Sequence, residues 1–154
     1  MQLSNILKPE AVRVIASVSS KKRLFQEIAD VASSAYALQA PPTVEALLER
    51  ESLGPTGVGH GVALPHARIS DVEDVIGVFV VLEKPLDFGA VDRQPIDIVF
   101  SLFAPEDAGV EHLKALALVS RTLREQSFCT KLRANPDAAT LYTILTENQS
   151  VQAA

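Results

Sequence analysis

Apolar runs and alternating positions predict three main strands. Residues 11–16 alternate imperfectly and favour a strand, after a short helical turn or coil at residues 3–8 that we expect Pro9 to stop. Residues 75–82 and 96–103 are nearly continuous apolar runs, which are typical of strands buried on both faces of a sheet. We expect the first of these runs to end at Lys84-Pro85, because proline cannot donate to a strand ladder.

Other segments carry their apolar residues at helical spacing. These predicted helices cover residues 21–38, 43 to about 51, 110–125, 127–134 and 137–147. Thr43 is a plausible N-cap for the second of them, because a hydroxyl can accept a hydrogen bond from the first helical turn.

The order of these elements predicts an α/β fold: a single domain with a small mixed β-sheet flanked by helices. A chain of 154 residues, of which 47% are hydrophobic, is large enough for one good core. We expect the domain to occupy residues 1–148 and the polar residues 149–154 to form a flexible C-terminal tail.

Composition excludes several classes of function. The net charge is -5 and the only basic run is Lys21–Arg23, so a nucleic-acid-binding surface is not expected. The single cysteine, Cys129, cannot form an internal disulfide and is best explained as a small buried residue of a reducing compartment. The N-terminus lacks a signal-peptide pattern and no apolar run is long enough to span a bilayer, so we expect a cytoplasmic protein without membrane insertion.

The most unusual segment is a glycine-rich loop at residues 53–61, which leads into a short predicted strand at Val62–Leu64. Four of the seven glycines fall in this loop. The unhindered amides of Gly57, Gly59 and Gly61 are suited to binding an anion such as phosphate. A mobile surface loop explains the same glycines equally well, because no known phosphate-binding glycine pattern is present.

His66 follows Leu64-Pro65, at the point where we expect the short strand to stop. Open α/β sheets place reactive groups at the carboxyl ends of strands, and a neutral imidazole nitrogen is a nucleophile near neutral pH. His66 is therefore a candidate phosphoryl acceptor. A hydrogen-bonded histidine with no reactive role is the alternative.

Two further residues are candidates for the same site. His112 lies in the first turn of the helix at residues 110–125, where the helix dipole disfavours an imidazolium. Arg50 ends the helix before the glycine loop, and its guanidinium suits phosphoryl oxygens. Each has a simpler explanation, since His112 could face solvent and Arg50 could be a surface residue that favours a helix C-terminus.

Several separated motifs together resemble one family. The segment ERESLGPTGVGHGVALPHARI, residues 49–69, resembles the active-site segment of enzyme IIA domains of the fructose/mannitol type in the bacterial phosphoenolpyruvate-dependent phosphotransferase system. The resemblance continues in Pro85–Phe88, in Asp92–Asp97 and in the segment from Glu111 to Leu123. The start of the chain and its length are most similar to the nitrogen-related, regulatory branch.

The resemblance implies a phosphocarrier. His66 matches the histidine that is phosphorylated on Nε2, His112 matches the second active-site histidine, and Arg50 matches the active-site arginine. The implied donor is the histidine phosphocarrier HPr or its nitrogen-related paralogue, and a regulatory target protein remains to be identified. The family uses no metal and no organic cofactor.

Within this interpretation the glycine loop is expected to bind the phosphoryl oxygens through Thr56, Gly57, Gly59, His60 and Gly61. His60 departs from the family pattern, which commonly has asparagine there. An imidazole can donate a hydrogen bond as the amide does, and it could add a pH-sensitive charge near the phosphoryl group, but a loop histidine without a role is the simpler explanation.

Three alternatives remain open at this point. The three histidines could bind the metal of a hydrolase, although the glycines and Pro65 interrupt the strand that would carry two of them. The chain could be a sugar-transport enzyme IIA that acts with a separate membrane permease. It could also be a sensor domain that keeps the fold without phosphotransfer.

Overall fold

The computed structural model describes the backbone of residues 1–153 and the side chains of residues 1–147. The helices are α1 (Leu3–Ile6), α2 (Lys21–Tyr36), α3 (Ala40–Ser52), α4 (Gly109–Leu123), α5 (Gln126–Arg133) and α6 (Ala138–Ala153). The strands are β1 (Leu7–Ile15), β2 (Gly57–Gly59), β3 (Val62–Ala63), β4 (His66–Arg68), β5 (Ile76–Leu86) and β6 (Ile96–Ala104).

The strands form one mixed sheet in the order β1-β5-β6-β3-β2, and β4 also pairs with β6. The β5–β6 and β2–β3 pairs are antiparallel, whereas β1 is parallel to β5 and both β3 and β4 are parallel to β6. Helices α2, α3, α4 and α6 pack against the strands of this sheet. The predicted α/β fold with a mixed sheet flanked by helices is therefore confirmed.

The two central strands form the centre of the core, as their continuous apolar sequences predict. Every β5 residue from Gly77 to Leu82 is buried, and β6 is buried along nearly its whole length. The rings of Phe79 and Phe100 lie opposite each other on these strands, with centroids 5.8 Å apart. Burial of large apolar side chains on both faces is the main stabilising contribution to this fold.

Two prolines do not act as the sequence suggested. The helical turn α1 ends at Ile6 rather than at Pro9, and β1 begins at Leu7 and runs through Pro9, whereas β5 runs through Pro85 to Leu86. β1 is an edge strand whose register with β5 shifts between Leu7 and Val12, and the β5–β6 register shifts before Leu86. A missing N–H costs no ladder bond at an edge or an irregularity, so both prolines are accommodated.

The expected N-cap at Thr43 is also wrong. Helix α3 begins at Ala40, and Pro41 and Pro42 occupy its first turn, where an N–H has no intrahelical partner to lose. Thr43 therefore lies inside the helix, where its hydroxyl donates to the carbonyl oxygen of Gln39 at 2.8 Å.

The other predicted helices are confirmed, with α2, α4 and α5 ending within two residues of the predicted bounds. The predicted helix at residues 137–147 is the first part of α6. The tail predicted at residues 149–154 lies outside the residues whose side chains are described.

Cys129 on α5 is buried as expected, and that burial raises the pKa of its thiol. In the part of the chain that the structure describes, no helix has the length and apolar character needed to cross a bilayer.

The close packing of β5 on β6 gives a test of this core. A Cβ added to Gly77 would lie 2.6 Å from Cε1 of Phe100, whose ring is fully buried, so the ring or the backbone would have to shift. We expect Gly77→Ala to lower the free energy of unfolding by about 1–3 kcal/mol, measured by urea denaturation.

Gly109→Ala is the matched control, because nothing lies within 4 Å of the added Cβ and the residue begins helix α4. Its free energy of unfolding should be unchanged or slightly higher. Equal stability of the two variants would contradict the packing described for β5 and β6.

Candidate functional site

His66 is the first residue of β4, which pairs with β6 after a break in the strand at Leu64-Pro65. Val62 pairs with Ile98 and His66 pairs with Leu102, so β3 and β4 follow β6 in the same register on either side of the proline. The carbonyl oxygen of Pro65 accepts hydrogen bonds from the Leu102 amide at 3.0 Å and from the Ser101 hydroxyl at 2.9 Å. The short strand β3 does end before Pro65, as expected, but pairing with β6 resumes at His66, because the proline lacks a donor but keeps its acceptor on the β6 side.

Both ring nitrogens of His66 have a hydrogen-bond partner. Nδ1 lies 2.8 Å from the carbonyl oxygen of Leu64, and Nε2 lies 3.3 Å from Nε of Arg50. A carbonyl oxygen only accepts and a guanidinium N–H only donates, so Nδ1 carries the proton and Nε2 presents its lone pair. His66 is therefore held as the neutral Nδ1–H tautomer.

The surroundings of His66 favour this neutral form. Its pKa lies below the ordinary value because the ring is desolvated by burial, and the positive charge of Arg50 lowers the pKa further. The hydrogen bond to Leu64 and the negative charge of Glu51 act in the opposite direction without overcoming the burial. A neutral imidazole at neutral pH is the reactive state of a histidine nucleophile.

His112, in the first turn of α4, lies beside His66. The two ring centroids are 5.5 Å apart and the rings are tilted by 51°. His112 is only 6% exposed, so the solvent-facing explanation of this residue is wrong. Burial, and then the nearby His66 and Arg68, lower its pKa, so this ring is also held neutral.

The tautomer of His112 follows from its burial. Nδ1 of His112 is buried and has no hydrogen-bond partner among the described residues. Because burying an unpaired N–H costs the full desolvation of a donor, the proton is better placed on the other nitrogen, Nε2. His112 then offers an N–H donor on the side of the ring away from the buried Nδ1.

An open cavity of about 580 Å³ brings the three predicted catalytic residues together. Its lining consists of Ala46, Glu49, Arg50, Leu53, His66, Ala67, Arg68, His112, Leu113 and Leu116. Two of the lining leucines face solvent, Leu53 at 81% and Leu113 at 65% exposure. Large exposed apolar side chains grouped at one cavity are typical of a protein-binding surface.

Arg68 is a cavity residue that the sequence analysis missed. It lies two residues after His66 on β4, and alternate residues of a strand share one face. Its Nη1 donates to the carbonyl oxygen of Glu106 at 3.2 Å, which leaves its charge unneutralised by that contact. The spacing of two residues between His66 and Arg68 is present in the sequence. It places both side chains on one face only if the chain is a strand after Pro65.

The glycine loop forms a tight hairpin. β2 and β3 are joined by a turn in which Gly59, His60 and Gly61 all have positive φ, at 103°, 57° and 80°. At Gly57 a Cβ would lie 2.6 Å from that of Ala90, so this glycine allows a close approach. The loop is therefore partly strand, and its glycines have a structural purpose that is independent of any ligand.

His60 lies at the tip of this hairpin, outside the lining of the cavity that holds His66. Its main-chain N–H donates to Oδ2 of Asp92 at 2.9 Å, and Nη2 of Arg133 donates to its carbonyl oxygen at 2.9 Å. Its Nδ1 accepts from the side-chain amide of Gln126 at 3.2 Å.

The proposed three-histidine metal site is not formed. Among the residues that the structure describes, no three His, Cys, Asp or Glu side chains are grouped in a way that would bind a metal ion. His66 and His112 share a cavity that His60 does not line.

Thr56 is buried at the base of the hairpin and faces the end of α3. Its hydroxyl donates to Oε1 of Glu51 at 2.5 Å, and its amide donates to Oε2 at 3.1 Å. The hydroxyl and the amide of Thr56, which could have contacted a phosphoryl group, therefore both donate to the carboxylate of Glu51. Like the residues of the hairpin turn, Thr56 does not line the cavity of His66.

The chain belongs to the family of EIIA type 2 domains of the phosphoenolpyruvate-dependent sugar phosphotransferase system, whose family model matches residues 5–148. This is a phosphotransfer family. The chain is 44% identical over 145 residues to a nitrogen regulatory protein of Bradyrhizobium diazoefficiens, with 94% of this chain and 95% of that protein covered.

Solved structures show the same fold. The nitrogen regulatory protein IIA-Ntr from Neisseria meningitidis superposes with a TM-score of 0.85 at 34% identity, covering 94% of this chain and 99% of that chain. Enzyme IIA for mannitol from Escherichia coli, solved in complex with phosphorylated enzyme IIB, superposes with a TM-score of 0.74 at 19% identity. That superposition covers 93% of this chain and 99% of that chain, and it supports the fold.

The contact between Arg50 and His66 predicts a measurable pKa change. Arg50→Gln removes a positive charge and an N–H donor to Nε2, both of which favour the neutral ring, so we expect the pKa of His66 to rise toward its ordinary value. NMR titration of the ring protons measures this change directly.

Arg121→Gln is the control, because Arg121 is exposed in the last turn of α4 and does not line the cavity. It should leave the His66 titration unchanged. A His66 pKa that falls or stays constant in Arg50→Gln would contradict the assigned contact.

Proposed function

We propose that the protein is a phosphocarrier that accepts a phosphoryl group on Nε2 of His66 from an HPr-like donor. The observation that carries this proposal is the fixed tautomer of His66, with Nδ1–H bound to the Leu64 carbonyl and the Nε2 lone pair directed toward Arg50. This lone pair belongs to a neutral ring in an open cavity. Membership of the EIIA type 2 family supports the same assignment.

The reaction is an exchange between two imidazoles. The Nε2 lone pair of His66 attacks the phosphorus of the donor's phosphohistidine, whose other ring nitrogen carries a proton. A new N–P bond forms, and the donor's N–P bond breaks with its electron pair returning to the donor ring, which leaves as a neutral imidazole. The transition state of phosphoryl transfer is loose, so the protein acts mainly by positioning and by charge stabilisation. The Leu64 carbonyl continues to accept the Nδ1–H and stabilises the positive charge that develops on the His66 ring.

Arg50 and His112 are the proposed contacts for the phosphoryl oxygens. When Nε2 forms its bond to phosphorus, the guanidinium of Arg50 loses its acceptor and turns to the incoming oxygens, for which a charged fork is well suited. The Nε2–H of His112 supplies a second donor. Direct contacts from Thr56, Gly57, Gly59, His60 and Gly61 stay a prediction, because the cavity of His66 does not include them.

The donor is proposed to be HPr or its nitrogen-related paralogue, and the role is proposed to be regulatory, in the cytoplasm. Relatives named nitrogen regulatory proteins, at 34–44% identity, favour this branch over sugar transport. Phosphorylation adds about two negative charges to a neutral ring beside exposed leucines. A target protein that binds Leu53 and Leu113 would therefore distinguish the two states by electrostatics.

The direct test is phosphorylation by each candidate donor, followed by intact mass. The wild type should gain one acid-labile phosphoryl group, and His66→Ala should gain none, because the attacking lone pair is lost. Incubation with HPr and with the nitrogen-related paralogue in parallel shows which branch supplies the group.

The stability of His66→Ala and the labelling of the wild type are needed to interpret this result. His66→Ala should unfold at the temperature of the wild type, so that loss of phosphate reports chemistry. Full labelling of His66→Ala would overturn the acceptor assignment, and no labelling of the wild type by any phosphohistidine carrier would overturn the phosphocarrier function.

A further inference from the structure

Glu51 is a buried carboxylate directly after Arg50, at the end of α3. Its side chain is only 7% exposed, yet it carries three close donors. The ammonium of Lys21 lies 2.9 Å from Oε2, and the amide and hydroxyl of Thr56 donate to the two oxygens. Lys21 also lies over the ring of Phe88 at 4.2 Å, which fixes the cation in place. A carboxylate so fully paired links α2, the end of α3 and the start of the hairpin.

The contacts of Glu51 continue to the reactive ring through the main chain. Thr56, held by Glu51, accepts the amide of Leu64 on its carbonyl oxygen at 2.9 Å. Leu64 in turn accepts the Nδ1–H of His66 on its own carbonyl oxygen at 2.8 Å. Each hydrogen bond in this series places the next residue, so the position of the acceptor for Nδ1–H depends on where Glu51 holds Thr56.

The two neighbouring residues at the end of α3 therefore act on opposite nitrogens of one ring. Arg50 contacts Nε2 directly, and Glu51 acts on Nδ1 through Thr56 and Leu64. Because an imidazole has one proton to place when neutral, securing an acceptor for Nδ1–H leaves the lone pair on Nε2.

We propose that Glu51 is a positioning residue that fixes the Nδ1–H tautomer of His66, acting through Thr56 and the carbonyl of Leu64. It does not touch the reacting atoms. Glu51→Gln has the same shape but presents NH₂ where one carboxylate oxygen now accepts a donor, so it cannot satisfy Lys21 and both donors of Thr56 together. Thr56→Val removes the hydroxyl donor by a second route and leaves Glu51 unchanged.

The test is the ¹⁵N NMR spectrum of the His66 ring in the unphosphorylated full chain. A protonated and an unprotonated ring nitrogen have different ¹⁵N chemical shifts, so the spectrum shows which nitrogen carries the proton. The wild type should show almost only the Nδ1–H form. Glu51→Gln and Thr56→Val should each show an increased share of the Nε2–H form. Glu45→Gln, an exposed site on the same helix, should match the wild type.

A second readout rests on the proposed phosphocarrier function. Because the Nε2–H tautomer cannot attack through Nε2, Glu51→Gln should accept phosphoryl groups about tenfold more slowly, by analogy with the loss of groups that orient reactive histidines. If the wild type accepts no phosphoryl group, the proposed function fails, while the tautomer comparison still decides the role of Glu51.

A wild-type tautomer spectrum in both Glu51→Gln and Thr56→Val, with both proteins folded by circular dichroism, would overturn the proposal. If Glu51→Gln does not fold, the spectrum of Thr56→Val decides. A slower reaction with an unchanged tautomer would also count against it, because Glu51 would then act on the rate by another route.

Discussion

The structure of the site depends on the hydrogen bond from Nδ1 of His66 to the carbonyl oxygen of Leu64. An imidazole without this partner would distribute its proton between two nitrogens and rotate about χ2, and neither nitrogen would be a dedicated nucleophile. The carbonyl lies on the same chain segment as the ring, only two residues earlier. Its position is set by the ladder that β3 and β4 share with β6 and by the hydrogen bond from the Leu64 amide to Thr56, so the orientation of one ring rests on both sides of its strand.

Pro65 is compatible with this arrangement because the two sides of the strand have different requirements. On the side of β6 the chain must accept hydrogen bonds, and the carbonyl oxygen of Pro65 accepts from both Leu102 and Ser101. A proline supplies that acceptor as well as any other residue. It also restricts the backbone of Leu64 to extended conformations, which are the ones that a strand needs. The residue that would interrupt an ordinary central strand therefore stabilises this one next to the reactive ring.

Much of the fold and site followed from the sequence because strong patterns were present. The buried runs of β5 and β6 and the helical spacing of α2, α4 and α5 required no tertiary information. The errors at Pro9, Thr43 and Pro85 share one cause: proline is acceptable at a sheet edge, a register shift or a first helical turn, and the local sequence does not show which of these applies. His66, His112 and Arg50 were candidates from their local chemistry and from resemblance to a family, and the structure places them around one cavity.

The parts of the site that the sequence could not reveal depend on contacts between distant segments. Lys21 and Glu51 are 30 residues apart, and nothing in the local pattern pairs them. Arg68 shares the face of His66 only if the strand continues beyond the proline. The glycines of residues 57–61 were compatible with an anion-binding loop or a mobile loop, and the sequence did not show that they also allow a sharp turn and a close approach to Ala90.

The contact of Arg50 with Nε2 of His66 has a consequence for how the protein behaves between encounters. The Nε2 lone pair is already engaged by the guanidinium, at the long separation of 3.3 Å that is typical of a weak hydrogen bond. In the proposed function any electrophile must first displace this donor, and a docked protein donor gains contacts elsewhere on the surface that offset the loss, whereas a small molecule does not. The displaced guanidinium would then lie beside the incoming phosphoryl charge.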